Sequence, residues 1–269
     1  MSETAFYLFC FARSGPLPEL GGTGVDGQSP LLVRTFADLA AVLSTVYVAD
    51  FSGPVAEARM KDLSWLGPRA CRHEAVIEEV MAYGPVLPAR FGTLFSSLES
   101  LEALLVKHHR AISQFLDDVT GREEWGVKGV LNRAKALPEL DSRYQTGGAG
   151  QGEPNIDPSS LPRGTRYLQG RRARAAAEKA LPQWLQATCA GIAEDLRGYA
   201  SGFIVRKALA KGASGSEVVS DWAFLVPRGV RVDFCGRVKR ASAELADQGL
   251  TFELTGPWPP YHFMPSLTS

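Results

Sequence analysis

Histidines, cysteines and closely spaced acids are the side chains through which this chain could bind metal or act as a nucleophile. Cys10, Cys71, Cys189 and Cys235 are far apart and form no C-x-x-C pair, so neither a zinc ribbon nor a dithiol redox site is expected, and the thiols read as reduced. Cys71 and His73 stand two residues apart, a spacing that converges side chains on a strand but separates them by about 200° on the helix expected there. His73 and His108 fall on apolar helical faces and read as hydrogen-bonded core residues rather than ligands. His109 and His262 read as solvent-facing or tail-borne. The acid pairs Glu78-Glu79, Asp117-Asp118 and Glu123-Glu124 are adjacent in sequence, which points them about 100° apart on a helix, so they read as solvated charge rather than paired acid–base catalysts.

Phosphate chemistry fares no better. Gly147-Gly148-Ala149-Gly150-Gln151-Gly152 is followed by Glu153-Pro154, whereas a phosphate loop needs a lysine and a helix start, and a dinucleotide fingerprint needs a strand before and a helix after. No G-x-S-x-G elbow or H-E-x-x-H helix occurs, so no catalytic residue, metal ligand or cofactor site is assigned. One basic patch stands out: Arg163, Arg166, Arg171, Arg172 and Arg174, with no acid between Leu161 and Ala177. Arg171, Arg172 and Arg174 are candidates for contact with acidic groups of a partner, the plainer reading being a solvated helical start.

The elements that must position these residues are read from periodicity. Phe6 to Phe11 forms a first strand, and the glycine-rich stretch 15–30 a mobile surface excursion before extended structure resumes at Leu31 to Arg34. Residues 36–50 are ambiguous, with β-branched residues favouring a strand at their end. Pro68 opens a helix whose buried face carries Ala70, His73, Ile77 and Val80. Ser96-Ser97-Leu98-Glu99 has the form of a capping box before a long helix with the stripe Leu98, Leu101, Leu105, His108, Ile112, Phe115 and Val119. After it come a strand from Glu124 to Leu131, a Gly/Pro/Ser-rich stretch at 141–165 too polar to pay for its ordering, and a helical face from Leu181 to Tyr199 that kinks or restarts at Pro182. Two strands, Phe203 to Lys207 and Val218 to Val226, a helix with Val230, Phe234, Val238, Ala241 and Leu245, and a last strand with Leu250, Phe252 and Leu254 complete the chain. The order strand, helix, strand, strand, helix, strand is the split βαβ of a ferredoxin-like domain, an antiparallel sheet with its helices on one face.

At 269 residues the chain suits two domains. The expected boundaries are an N-terminal α+β domain at 1–121, a C-terminal ferredoxin-like domain at 122–256 with a flexible insert at 141–165, and an extended segment at 257–269. Lys plus Arg and Asp plus Glu both total 29, which removes the global electrostatic case for nucleic acid or an acidic membrane as partner. No 18-residue apolar run or leader pattern is seen, so a cytoplasmic location is expected. Beyond Gly256, Pro257, Pro259 and Pro260 favour extended backbone, while Trp258, Tyr261 and Phe263 are apolar anchors that either strap onto the chain's own domains or dock on a partner.

Several stretches carry a specific resemblance: Tyr7-Leu8, Trp65 before His73-Glu74, Pro88-Ala89-Arg90-Phe91-Gly92-Thr93, Glu124-Trp125-Gly126-Val127-Lys128, Gly164-Thr165-Arg166-Tyr167-Leu168, Trp222-Ala223-Phe224-Leu225-Val226, and Thr255-Gly256-Pro257-Trp258-Pro259-Pro260-Tyr261-His262-Phe263. The chain resembles the gas vesicle GvpF/GvpL family over nearly its whole length. The resemblance implies two α+β domains of modified ferredoxin type and no enzymatic activity. It further implies binding to the small hydrophobic shell protein GvpA and other accessory proteins in the cytoplasm, with members becoming minor vesicle components. The insert at 15–30, Pro182 and the stretch 141–160 depart from the family pattern. In the motif at Pro88, Arg90, Phe91, Gly92 and Thr93, Pro88 would fix φ, Gly92 would permit close chain approach, Phe91 would point inward and Arg90 would reach a nearby acid. The rival reading is a tandem ferredoxin-like module that senses a small molecule or anion through the basic patch. A monomer is favoured in either case.

Overall fold

The apolar run at the start of the chain becomes strand β1 (Thr4–Arg13), buried along almost its entire length. The computed structural model describes residues 3–15, 20–147, 163–207 and 216–267. Its chain divides into a first unit, Met1–Glu124 with Pro257–Ser269, and a second, Trp125–Gly256.

In the first unit β1 lies between β3 (Leu39–Tyr47) on one side and β4 (Val86–Pro88) with β5 (Leu94–Phe95) on the other, while β2 (Leu31–Phe36) pairs with the far edge of β3. Each of these pairings is antiparallel. The β1–β3 register slips between Leu8 and Cys10, so Phe9 is an extra residue and the parity of the strand reverses there. Tyr7, Phe9, Cys10 and Ala12 therefore share a cluster with Val76, Ile77 and Val80, while Leu8 and Phe11 lie with Leu104. The bulge lets one strand serve two helices.

Those helices are α3 (Leu63–Met81) and α4 (Leu98–Val119), preceded by the short turns α1 (Val48–Phe51) and α2 (Pro54–Arg59). Helix α3 starts earlier than Pro68 suggests, because the Asp62 carboxylate accepts the Ser64 backbone N–H at 2.9 Å; Pro68 lies inside it. In α4 the cap is one residue later than expected: Ser97 is the N-cap and Ser100, not Glu99, reciprocates. Leu101, Leu105, Ile112, Phe115 and Val119 of the expected stripe are buried. The glycine-rich stretch is folded where it is described. Asp26 accepts from the backbone of Gln28 and Ser29 and from the Ser29 hydroxyl, and Val25 is fully buried.

The second unit is built from β6 (Arg122–Asn132), α5 (Arg133–Gly147), α6 (Arg163–Arg197), β7 (Gly202–Val205), β8 (Ser216–Pro227), α7 (Arg231–Leu245) and β9 (Leu250–Trp258), with sheet order β7-β8-β6-β9. The third strand sits beside the first, as a split βαβ requires. Trp125, Trp222, Phe224 and Phe252 of the sheet pack with Cys189, Ala193 and Leu196 of α6 and with Phe234, Val238 and Ala241 of α7. Helix α6 runs unbroken through Pro182, which is exposed, with Leu181 buried beside it. The expected insert is corrected at both ends, since 141–147 is the last part of α5 and 163–165 the start of α6; residues 148–162 lie outside the described ones. Helix α5 forms because Ala136 and Leu140 close a small core with Leu131, Ala177 and Leu181. Strand β9 takes in Pro257 and Trp258, which an edge strand tolerates because its outer backbone has no ladder to complete. No described helix is long and apolar enough to cross a membrane.

Candidate functional site

The motif Pro88–Thr93 leaves β4 and turns back toward β5. The Thr93 N–H and hydroxyl both donate to the Arg90 carbonyl, at 3.1 and 2.7 Å, and Gly92 has φ of +83°. A turn with its third residue in the left-handed region favours glycine there. A Cβ on Gly92 would meet nothing nearer than Met60 Cε at 3.9 Å, so backbone conformation rather than close chain approach demands the residue.

Beneath the turn, polar groups form a directed chain. Gly92 N–H donates to the Tyr7 hydroxyl at 3.2 Å, and that hydroxyl donates to His73 Nδ1 at 2.9 Å. His73 Nε2 donates to the Ala89 carbonyl at 3.1 Å; a carbonyl only accepts, which fixes the tautomer. His73 is 2% exposed. Burial lowers its pKa to about 4, against the opposing pull of the Ala89 carbonyl, so the ring is neutral at pH 7. Phe91 packs inward, its ring 5.7 Å from His73 and 6.0 Å from Tyr7. The expected acid near Arg90 is not found: Arg90 is exposed and forms no ion pair among the described residues.

The C-terminal segment packs onto this unit. Pro259 and Pro260 are buried, and Tyr261–Phe263 makes a single 3-10 turn. Tyr261 donates its hydroxyl to Glu74 Oε1 at 2.8 Å and packs against the core cluster of Tyr7 and Phe9. Burial raises the Glu74 pKa and Glu78 adds to the rise, while the Tyr261 hydrogen bond works against it. Burial and the Glu74 acceptor together push the Tyr261 phenol well above its ordinary range, so it remains a donor. His262 is exposed, as expected, but it is also tied down. Its backbone N–H donates to Glu124 Oε2 at 3.0 Å and its ring Nδ1 lies 2.5 Å from Oε1. Glu124, placed among the solvated acids by its sequence, is 2% exposed, because on a strand it faces opposite to Glu123. Phe263 is half-buried, whereas Trp258 remains 40% exposed.

Between these pieces lies a groove of about 510 Å³, floored by Leu8, Phe11, Leu87, Phe95 and Leu104. Pro88, Arg90 and Thr93 line one side, and Tyr261, His262 and Met264 to Leu267 the other. The structure thus brings together two sets of residues singled out separately in the sequence, the motif and the C-terminal segment. Arg171, Arg172 and Arg174 belong to the second unit. Those three are exposed on α6, Arg174 with Glu178 at 3.7 Å one turn on, and Tyr167 and Leu168 are exposed one turn earlier. Sequence reasoning missed the anchoring roles of Glu74 and Glu124; their presence inside the quoted family motifs was the available signal. Among the described residues no group of three or more His, Cys, Asp or Glu is arranged to hold a metal ion.

Comparison with known proteins extends the likeness over the whole chain. Residues 5–265 match the family described as gas vesicle synthesis protein GvpL/GvpF. The gas vesicle protein L of Streptomyces sp. (strain CB03234) is 31% identical over 267 residues, which cover 96% of this chain and 91% of that protein. The crystal structure of GvpF from Anabaena sp. PCC7120 superposes with a TM-score of 0.68 at 18% identity, covering 98% of this chain and 97% of that one. GvpF from Microcystis aeruginosa gives 0.66 at 18% identity, over 97% and 99% of the two chains. These structures share the fold.

Proposed function

The chain belongs to the gas vesicle synthesis protein GvpL/GvpF family, and on that premise we propose that it is a non-enzymatic accessory protein of gas vesicle formation that holds the hydrophobic shell protein GvpA during assembly. The observation that carries the reading is the match over residues 5–265, which includes all but Ser266 and Leu267 of the groove lining and the basic face of α6. A shell protein with apolar surfaces needs those surfaces covered before it polymerises, and the groove of the first unit and the charged helix of the second each offer chemistry of that kind. Arg171, Arg172 and Arg174 are the proposed contacts for acidic groups, with Trp258 and Phe263 as apolar contacts. Tyr261 is already engaged with Glu74, so its contribution is to hold the segment in place.

Co-expression with GvpA tests the reading. A complex should co-purify, and reversing the three arginines to Glu should weaken it more at low salt than at high salt while the fold survives. Failure to co-purify across a range of salt concentrations would overturn the GvpA assignment; a loss that ignores salt would remove the arginines from it.

A further inference from the structure

Hydrogen bonding changes abruptly at Phe263. Upstream, Tyr261 N–H donates to Pro259 O at 2.7 Å and Phe263 N–H to Pro260 O at 3.3 Å. In the same turn the Tyr261 hydroxyl is fixed to Glu74, and the backbone and ring of His262 to Glu124. Downstream, Met264 to Leu267 lines the groove yet makes no hydrogen bond or ion pair among the described residues. It is held by the apolar contacts of Met264, Pro265 and Leu267, each only half-buried.

We infer that Met264–Leu267 is a displaceable cover over an apolar binding groove of the first unit, fastened at Tyr261 and His262, and that the groove's other occupant is an extended, uncharged apolar segment of a partner polypeptide. The chemistry of the occupant follows from the segment that lines the groove now, whose place it would take. Proline keeps that segment extended, methionine adapts its shape to an uneven floor, and none of the four residues carries charge. Leu8, Phe11, Leu87, Phe95 and Leu104 give the groove its apolar surface, with Arg90, Thr93 and His262 among the polar side chains around it. Ordering four residues has an entropic cost that half-buried side chains offset only in part, so covered and open states lie close in free energy. The two fastenings keep the cover next to the groove at high effective concentration, which makes it a competitor that any partner segment must displace. The inference concerns the first unit alone and stands whether or not the partner is GvpA.

The test uses a chain ending at Phe263, which keeps both fastenings, with anilinonaphthalene sulfonate and a fluorescein-labelled peptide of residues 262–269 as probes. The shortened chain should keep its melting temperature to within about 2 °C and raise the dye emission about threefold over the full chain, as newly exposed apolar surface does. It should bind the labelled peptide about tenfold more tightly than the full chain does, since the internal competitor is gone. Leu104→Gln in the shortened chain should abolish both gains. Equal dye and peptide binding by the two chains would overturn the cover. A shortened chain that unfolds or melts far lower would overturn it too, by making the segment part of the core; gains that survive Leu104→Gln would overturn the assignment of the groove.

Discussion

Gly92 and Gly249 share a left-handed backbone, with φ of +83° and +78°, but their surroundings differ. Around Gly92 there is room for a methyl group, whereas a Cβ on Gly249 would come within 2.7 Å of the Ala136 N and the Asn132 O. Gly92→Ala should therefore cost about 1 kcal/mol of backbone strain alone, and Gly249→Ala at least about twice that, because backbone must move; urea midpoints of the two variants measure the difference. His73 makes a second prediction. An ordinary histidine takes up its proton near pH 6.5, and buried His73 only near about 4. Between those values the unfolded chain holds a proton that the folded chain lacks, so stability declines as pH falls through the window and is regained toward neutrality. At pH 4.5 the loss from this residue should reach about 2–3 kcal/mol relative to pH 7. His73→Gln should remove that part of the pH dependence, read as the change in urea midpoint between the two pH values; identical slopes in both proteins would contradict it. The burial of His73 was legible in its helical spacing. Its partners were not, because Tyr7 lies 66 residues away.

At the scale of elements, Pro182 sits exposed inside an otherwise continuous α6. It removes the hydrogen bond to the Glu178 carbonyl and crowds that turn. Pro182→Ala should raise stability by about 1–2 kcal/mol, less than the full helix-interior penalty because alanine also loosens the unfolded chain, and thermal melts would show it. Helices α4 and α7 were legible because their apolar stripes are long and each buries one face. Helix α5 was not. Among the described side chains its buried face is Ala136 and Leu140, it contains Pro138, and its apolar partners Ala177 and Leu181 stand on another helix. The bulge at Phe9 was hidden for a similar reason, since register belongs to a pair of strands and not to either sequence. Glu124 was misread because helical geometry was applied to a strand, and its partner His262 is 138 residues away.

For the whole molecule, the second unit is an insertion in the first: the chain leaves through β6 and returns through β9. Residues 122–258 hold the complete second sheet and its helices, so produced alone they should unfold cooperatively by heat and by circular dichroism. Residues 1–124 alone lack the donors that Tyr261 and His262 supply to Glu74 and Glu124, and should gain stability, read as a higher melting temperature, when the peptide 257–269 is supplied. A peptide that leaves the melting temperature unchanged would contradict the fastening. The interruption also reverses the order in which the units can mature on the ribosome. Trp125–Gly256 is contiguous and has all its parts once its own last strand has emerged. The first unit, begun earlier, waits for Tyr261 and His262 to be translated before Glu74 and Glu124 find their donors. A nascent chain stalled after β9 would present a finished second unit beside a first unit with its groove uncovered, which makes the interval before residues 259–267 emerge the time at which the chain is most open to chaperones and to premature capture.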